Sequence, residues 1–259
     1  MVGWIREFGA FLRRTSTTAG FGLMLIWRTA LVLPHALAPR RFRNILDLIF
    51  IYAIGALPVT LVVSVFTGMI LALNTGLSLK DFGQEQMIGR IVAVSLVREM
   101  GPFMTALILA ASVGSGVAAE IGTMKISEEI DALEIMSISP IKFLVLPRMV
   151  ALTLVCPLMT LFAGVVGILG GILVSEFQLG VNWVTFKNDA LLHLQKKDVY
   201  TGLLKSFIFG LTIATVGCTQ GLITRGGATG VGSSTRRSVV VTFLLVIIIG
   251  YYVTWMFFS

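Results

Sequence analysis

Five uncharged, mostly apolar runs dominate this chain: Leu48 to Leu73, Met100 to Ala119, Met149 to Ser175, Ser206 to Thr224 and Ser238 to Ser259. A helix crosses a bilayer with about 20 such residues. Of the 259 residues, 56% are hydrophobic and only 13% charged, and the mean hydropathy is +0.93. No water-soluble domain of this size can display that balance on its surface. The expected fold is therefore an all-α integral membrane protein with five transmembrane helices near residues 46–75, 88–119, 143–175, 203–224 and 238–259. The first and third runs are long for a bilayer, so tilt or breaks are expected. Pro58, Pro102 and Pro157 are the candidate kink points.

Residues 1–42 precede the first span. There Trp4, Ile5, Phe8, Phe11 and Leu12 recur at helical spacing, with Arg6, Glu7, Arg13 and Arg14 between them. That pattern predicts an amphipathic helix lying in the membrane interface. Arg28 interrupts the competing reading of this segment as a cleaved signal peptide. The formal charge of +7 does not point to nucleic acid, because the basic residues sit between apolar runs and do not gather on one solvated face. They instead orient the chain. The N-terminal segment and the loops after spans two and four hold Arg6, Arg13, Arg14, Arg28, Arg40, Arg41, Arg43, Lys125, Lys142, Arg148, Arg225, Arg236 and Arg237. The opposite side holds Lys80, Arg90, Lys187, Lys196, Lys197 and Lys205. The positive-inside rule then predicts a cytoplasmic N-terminus and, after five crossings, a C-terminus on the outer, periplasmic side. Cys156 and Cys218 lie inside apolar runs and read as small hydrophobes.

Two segments stand out. The stretch from Glu120 to Met136, closed by Ser139-Pro140, is expected to form a short amphipathic helix near residues 122–138. Ser127 is its expected N-cap, Glu128 and Glu129 fill the first turn, and Ile126, Ile130 and Leu133 share a face. It reads equally as a solvated connector or as a helix that docks on a cytoplasmic partner. Arg98 and Glu99 are the only charges between Ile91 and Ala119, and a charge near the bilayer centre costs roughly 2.5 to 3.5 kcal/mol on insertion scales. Adjacent residues on a helix do not face each other. The pair must therefore seek a cavity, another helix or a second subunit, unless it sits wet at the helix end. With no other intramembrane charge to compensate it, the expectation is that Arg98 and Glu99 face a cavity shared by two copies of the chain, meeting their symmetry mates or a lipid phosphate.

Gly167 with Gly171 and Gly217 with Gly221 have the spacing that lets helices approach closely. The glycine-rich stretch from Arg225 to Arg237 lacks the lysine pattern of a phosphate loop. With His35 and His193 as the only histidines and no nucleophile or metal motif, the chain does not read as an enzyme, and no metal site is expected.

The run Arg98-Glu99-Met100-Gly101-Pro102, then Ala119 to Met124, Glu128 to Leu133, Pro140, Pro147-Arg148 and the Gly226 to Gly232 stretch before Arg236 together resemble the MlaE/YrbE permease family. The resemblance runs from the interfacial helix to the last span. It implies a homodimeric ABC transporter permease domain over residues 43–259, in the cell inner membrane, that moves phospholipids or related lipids. Its implied partners are a cytoplasmic ABC ATPase dimer and MCE-domain lipid-binding proteins on the outer side. ATP would be used by the partner, and this chain would bind no cofactor. In this resemblance the loop between spans two and three is the coupling helix seated on the ATPase, which assigns that role to Glu120, Glu128, Glu129, Asp131 and Glu134. The lipid cavity maps onto Leu71, Leu79, Phe82, Arg98 and Glu99. The alternative function is a self-sufficient secondary transporter or channel using Arg98 and Glu99 as an ion path. Inverted or broken repeats would favour it, and the five unequal spans show none.

Overall fold

In the computed structural model the described residues are 2–34 and 39–258, with side chains described for 16–34 and 42–258. The order is α1 (Val2–Val32), α2 (Pro39–Lys80), α3 (Ile88–Ser95), α4 (Gly101–Leu109), α5 (Ser115–Ile126), α6 (Glu129–Ile135), α7 (Leu146–Phe177), α8 (Trp183–His193), α9 (Lys196–Leu222) and α10 (Gly227–Phe258). Single π-helical turns at Leu96–Met100 and Ala110–Gly114 join α3, α4 and α5 into one rod, and a third at Ile141–Val145 leads into α7. Among the described residues, five helical stretches are long and apolar enough to cross a membrane: Phe42–Lys80, Glu85–Ile126, Ile141–Phe177, Lys196–Leu222 and Gly227–Phe258. The chain is an all-α, multi-pass membrane protein, as the apolar runs predict. At 1.5 Å per residue these rods outlast a hydrocarbon core of about 30 Å. That is why the apolar runs fall inside the helices and do not coincide with their ends.

The spans alternate in direction, so α6 lies at one end of the bundle and α8 at the other. α7 packs along α2 and against α9, while α9 also packs on α5 and α10. The α2–α7 crossing is close because it is glycine on glycine: a Cβ on Gly68 would stand 1.8 Å from the Gly167 carbonyl oxygen. One apolar core, with Leu109, Leu152, Val155, Phe209 and Ile213, fills the α4–α7–α9 contact and reaches Ile130 of α6. A second, with Val92, Leu96, Val174 and Phe186, joins α2, α3, α7 and α8 at the other end. Many hydroxyls inside the spans bond back to their own helix: Thr60 Oγ1 donates to the Ala56 carbonyl at 2.8 Å and Thr160 Oγ1 to that of Cys156 at 2.8 Å. Pro58 and Pro157 lie within continuing helices, whereas Pro102 opens α4 directly after a π turn.

Several boundaries differ from those expected. The segment near 122–138 is not one helix. Gly122 to Ile126 continue the second span, Ser127 ends it as a C-cap, and Glu128 turns left-handed at φ 60° before the seven residues of α6. Ser127 is therefore not an N-cap. Its hydroxyl lies 2.9 Å from the Thr123 carbonyl, an i−4 bond that belongs to the preceding helix. The glycine-rich stretch also differs: α10 begins at Gly227, eleven residues before the expected span. There Ser234 accepts a hydrogen bond from Thr224 at 2.9 Å, tying the first turns of α10 to the end of α9. In the N-terminal segment the amphipathic residues Trp4 to Leu12 lie outside the described side chains. The described part of α1 buries Leu25 and Thr29, packs on α9, and exposes Leu23, Trp27 and Leu31.

Candidate functional site

The π turn that carries Arg98 and Glu99 faces the start of α9. Arg98 donates through Nε at 2.9 Å and Nη2 at 2.5 Å to Asp198 Oδ1. Glu99 Oε1 accepts from Lys205 Nζ at 2.6 Å and from Thr254 Oγ1 of α10 at 2.9 Å. Asp198 and Lys205 lie seven residues apart on α9, two turns along one face. Adjacent charges can therefore both be served by one helix when their side chains run in opposite directions along it. Asp198 does a second job: Gln195 N donates to its Oδ2 at 3.1 Å, closing a capping box on the α9 N-terminus. Lys205 is 1% exposed and has three acceptors, because Nζ also reaches the Arg98 carbonyl at 3.2 Å and Thr254 Oγ1 at 2.6 Å. The ring of Phe258 stacks 3.8 Å from the Arg98 guanidinium carbon.

This corrects the expectation that Arg98 and Glu99 have no compensating charge within their own chain. Lys205, read as an outer-loop charge, is buried within α9, and Asp198 escaped notice because it stands at the head of an apolar run. The signal was present. An acid and a base at i, i+7 on one stripe match an adjacent base and acid on another span.

A cavity of about 300 Å³ opens beside this network, lined by Glu99, Phe103, Lys205, Phe209, Gly250 and Tyr251 among others. The other expected cavity residues are placed differently. Leu71 and Leu79 are half-buried and pack on the second apolar core, with Ala72, Ile88 and Val92. Phe82 is 76% exposed in the turn after α2.

The expected coupling residues also separate. Glu120 belongs to α5 and pairs with Arg148 of α7, Nη2 to Oε1, at 2.6 Å. Asp131 of α6 pairs with Lys125 of α5 at 2.6 Å. Glu128, Glu129 and Glu134 are exposed. Ile130 is buried against α5 and anchors α6, leaving Ile135 86% and Met136 60% exposed at its tip. Ser137 follows with φ 59°, ending the helix.

The family described as Permease MlaE matches residues 45–256. The chain belongs to the MlaE permease family. Against individual relatives it is 36% identical to a probable ABC transporter permease protein of Synechocystis sp., over 84% of this chain and 82% of that protein. It is 37% identical to a probable ABC transporter permease protein of Rickettsia prowazekii, over 79% of each. It is also 33% identical to the Arabidopsis thaliana protein TRIGALACTOSYLDIACYLGLYCEROL 1, chloroplastic, over 79% of this chain and 58% of that protein. The MlaE match thus covers three spans whole and nearly all of the first and fifth, together with α6 and both ion-pair systems, and starts after α1.

Proposed function

We propose that this MlaE permease is the membrane subunit of an ABC transporter that moves phospholipids or related lipids. It would work as a homodimer with a cytoplasmic ATPase dimer and an MCE-domain lipid-binding protein on the outer side. The observation that carries this reading is α6. A seven-residue helix is fastened to the second span by Ile130 and the Asp131–Lys125 pair, yet it presents Glu128, Glu129, Glu134, Ile135 and Met136 outward. A mixed acidic and apolar knob beyond the ends of two spans has the form of an element that seats in a groove of another protein. The basic residues bordering that end of the bundle support placing it in the cytoplasm of a cell whose inner membrane holds the chain, with the C-terminus periplasmic. ATP binding and hydrolysis would belong to the partner.

The lipid reading is supported by the diacylglycerol in the name of the Arabidopsis relative. The half-open cavity beside Glu99 and Lys205 supports it as well, since its wall is mostly apolar. A lipid would pass along Leu71, Leu79 and Phe82 towards that cavity, with Arg98 and Glu99 held at its edge. The closed pairing of those two charges with Asp198 and Lys205 gives no support to an ion path through them. The test is reconstitution: the chain purified with its native partners, placed in proteoliposomes, should transfer labelled phospholipid in an ATP-dependent manner. ATP-independent ion flux from the chain alone would overturn the proposal.

A further inference from the structure

We infer that the Arg148–Glu120 ion pair is a clamp that makes the second and third spans respond to α6 as one body, so that Arg148 is a positioning residue for transport. The inference rests on the reading of α6 as the ATPase-facing element. Glu120 lies six residues before the end of α5 and Arg148 is the third residue of α7, so the pair sits at the base of the connection that contains α6. Arg148 is deeply buried, with its side chain 9% exposed, while that of Glu120 is 56% exposed. Its guanidinium holds Glu120 Oε1 at 2.6 Å with one nitrogen and the Leu144 carbonyl at 2.9 Å with the other. Leu144 belongs to the π turn that leads into α7. On the other side of the connection, Lys125 of α5 holds Asp131 of α6 at 2.6 Å, and Ile130 is buried beneath it.

These contacts close a mechanical ring. It runs from α5 through Lys125 and Asp131 into α6, along the chain to the π turn, through Leu144 and Arg148, and back to α5 at Glu120. A displacement of α6 then cannot move one span without the other. Stability alone is a poor reason for this arrangement, because an ion pair with one half-exposed partner is screened on that side while the buried guanidinium still bears a desolvation cost. What the pair adds is direction. The Leu144 bond lies within the third span and holds the planar guanidinium in place, and the single bond to Glu120 carries that orientation across to the end of the second span.

The test uses the chain reconstituted with its ATPase in proteoliposomes, comparing R148M, E120Q and the swap E120R/R148E. In R148M and E120Q the ATPase should still copurify and hydrolyse ATP, while phospholipid transferred per ATP falls roughly five- to tenfold. The swap re-forms the ion pair but offers the Leu144 carbonyl no donor, so it should recover only part of that loss. Unchanged transport per ATP in R148M and E120Q, or equal falls in copurification, hydrolysis and transport, would overturn the clamp. A measurement independent of the ATPase keeps the two readings apart: spin labels at the exposed positions Thr123 and Leu154 report the separation of α5 and α7 in the permease alone. A single narrow distance that broadens in R148M supports the clamp. An unchanged distribution overturns it, whether or not α6 binds an ATPase, and failure of the unaltered chain to retain the ATPase counts against the reading of α6 only.

Discussion

Arg98 and Asp198, one hundred residues apart in the chain, meet at 2.5 Å between the second and fourth spans. Beside them Glu99 meets Lys205 at 2.6 Å, so two opposite pairs lie side by side, each neutral as a pair. A membrane helix can carry such residues only when each finds its counterpart before it meets lipid. The arrangement also locks the rotation of the second span relative to α9, since neither pair survives a turn of either helix.

Removing one member should therefore cost more than removing both. K205M leaves Glu99 without its ammonium partner, and D198N strips Arg98 of its carboxylate, each at a cost of about 1–3 kcal/mol since both stranded groups are partly exposed. The double change E99Q/K205M should recover much of that loss. Thermal unfolding of the detergent-solubilised protein reads this directly, and additive losses in the double variant would argue against a coupled pair.

The α2–α7 crossing predicts a sharp contrast between glycines. G68A pushes a methyl into the Gly167 carbonyl and should destabilise by at least about 1–3 kcal/mol, as overpacking does. G55A, with nothing within 4 Å of the added carbon, should be neutral or stabilise by about 0.5–1 kcal/mol through its helix preference. Melting temperatures of the two variants should fall on opposite sides of the parent, or at least differ by several degrees.

Glu128 stands at φ 60°, where a side chain clashes with the following carbonyl. E128G should stabilise the α5–α6 junction by about 1 kcal/mol, and E128V should destabilise it by at least as much. Hydrogen exchange at the amides of α6 is the local measure, and faster exchange in E128G than in the parent would contradict the strain argument.

Ile135 and Met136 contribute little to the fold because they are exposed. I135S/M136S should leave the melting temperature unchanged and weaken ATPase retention about tenfold, the equivalent of some 1.4 kcal/mol at an apolar contact. Titrating the purified ATPase onto immobilised permease gives the affinity. Unaltered binding would remove the tip of α6 from the interface.

The membrane class, the number of spans and the site of the α6 connection were legible in the sequence, because each depends on a local quantity. Run length is compared with bilayer thickness, and a charged interruption of an apolar run marks a loop wherever the helices come to lie. The family resemblance added the order of its motifs, which is also linear information. The tertiary structure alone decided which charges meet. Whether Arg98 faces Asp198, whether Glu120 faces a partner protein or Arg148, and whether Lys205 is wet or buried all depend on the rotation and crossing of helices up to a hundred residues apart. The break at Ser127 and Glu128 was hidden for a related reason. Helical periodicity runs unbroken through Ile126, Ile130 and Leu133, but the burial of Ile130 against α5 draws the chain back on itself through a left-handed residue. A periodic pattern records which residues seek the core, whereas the direction in which the chain must bend to bring them there is set by the neighbouring helices.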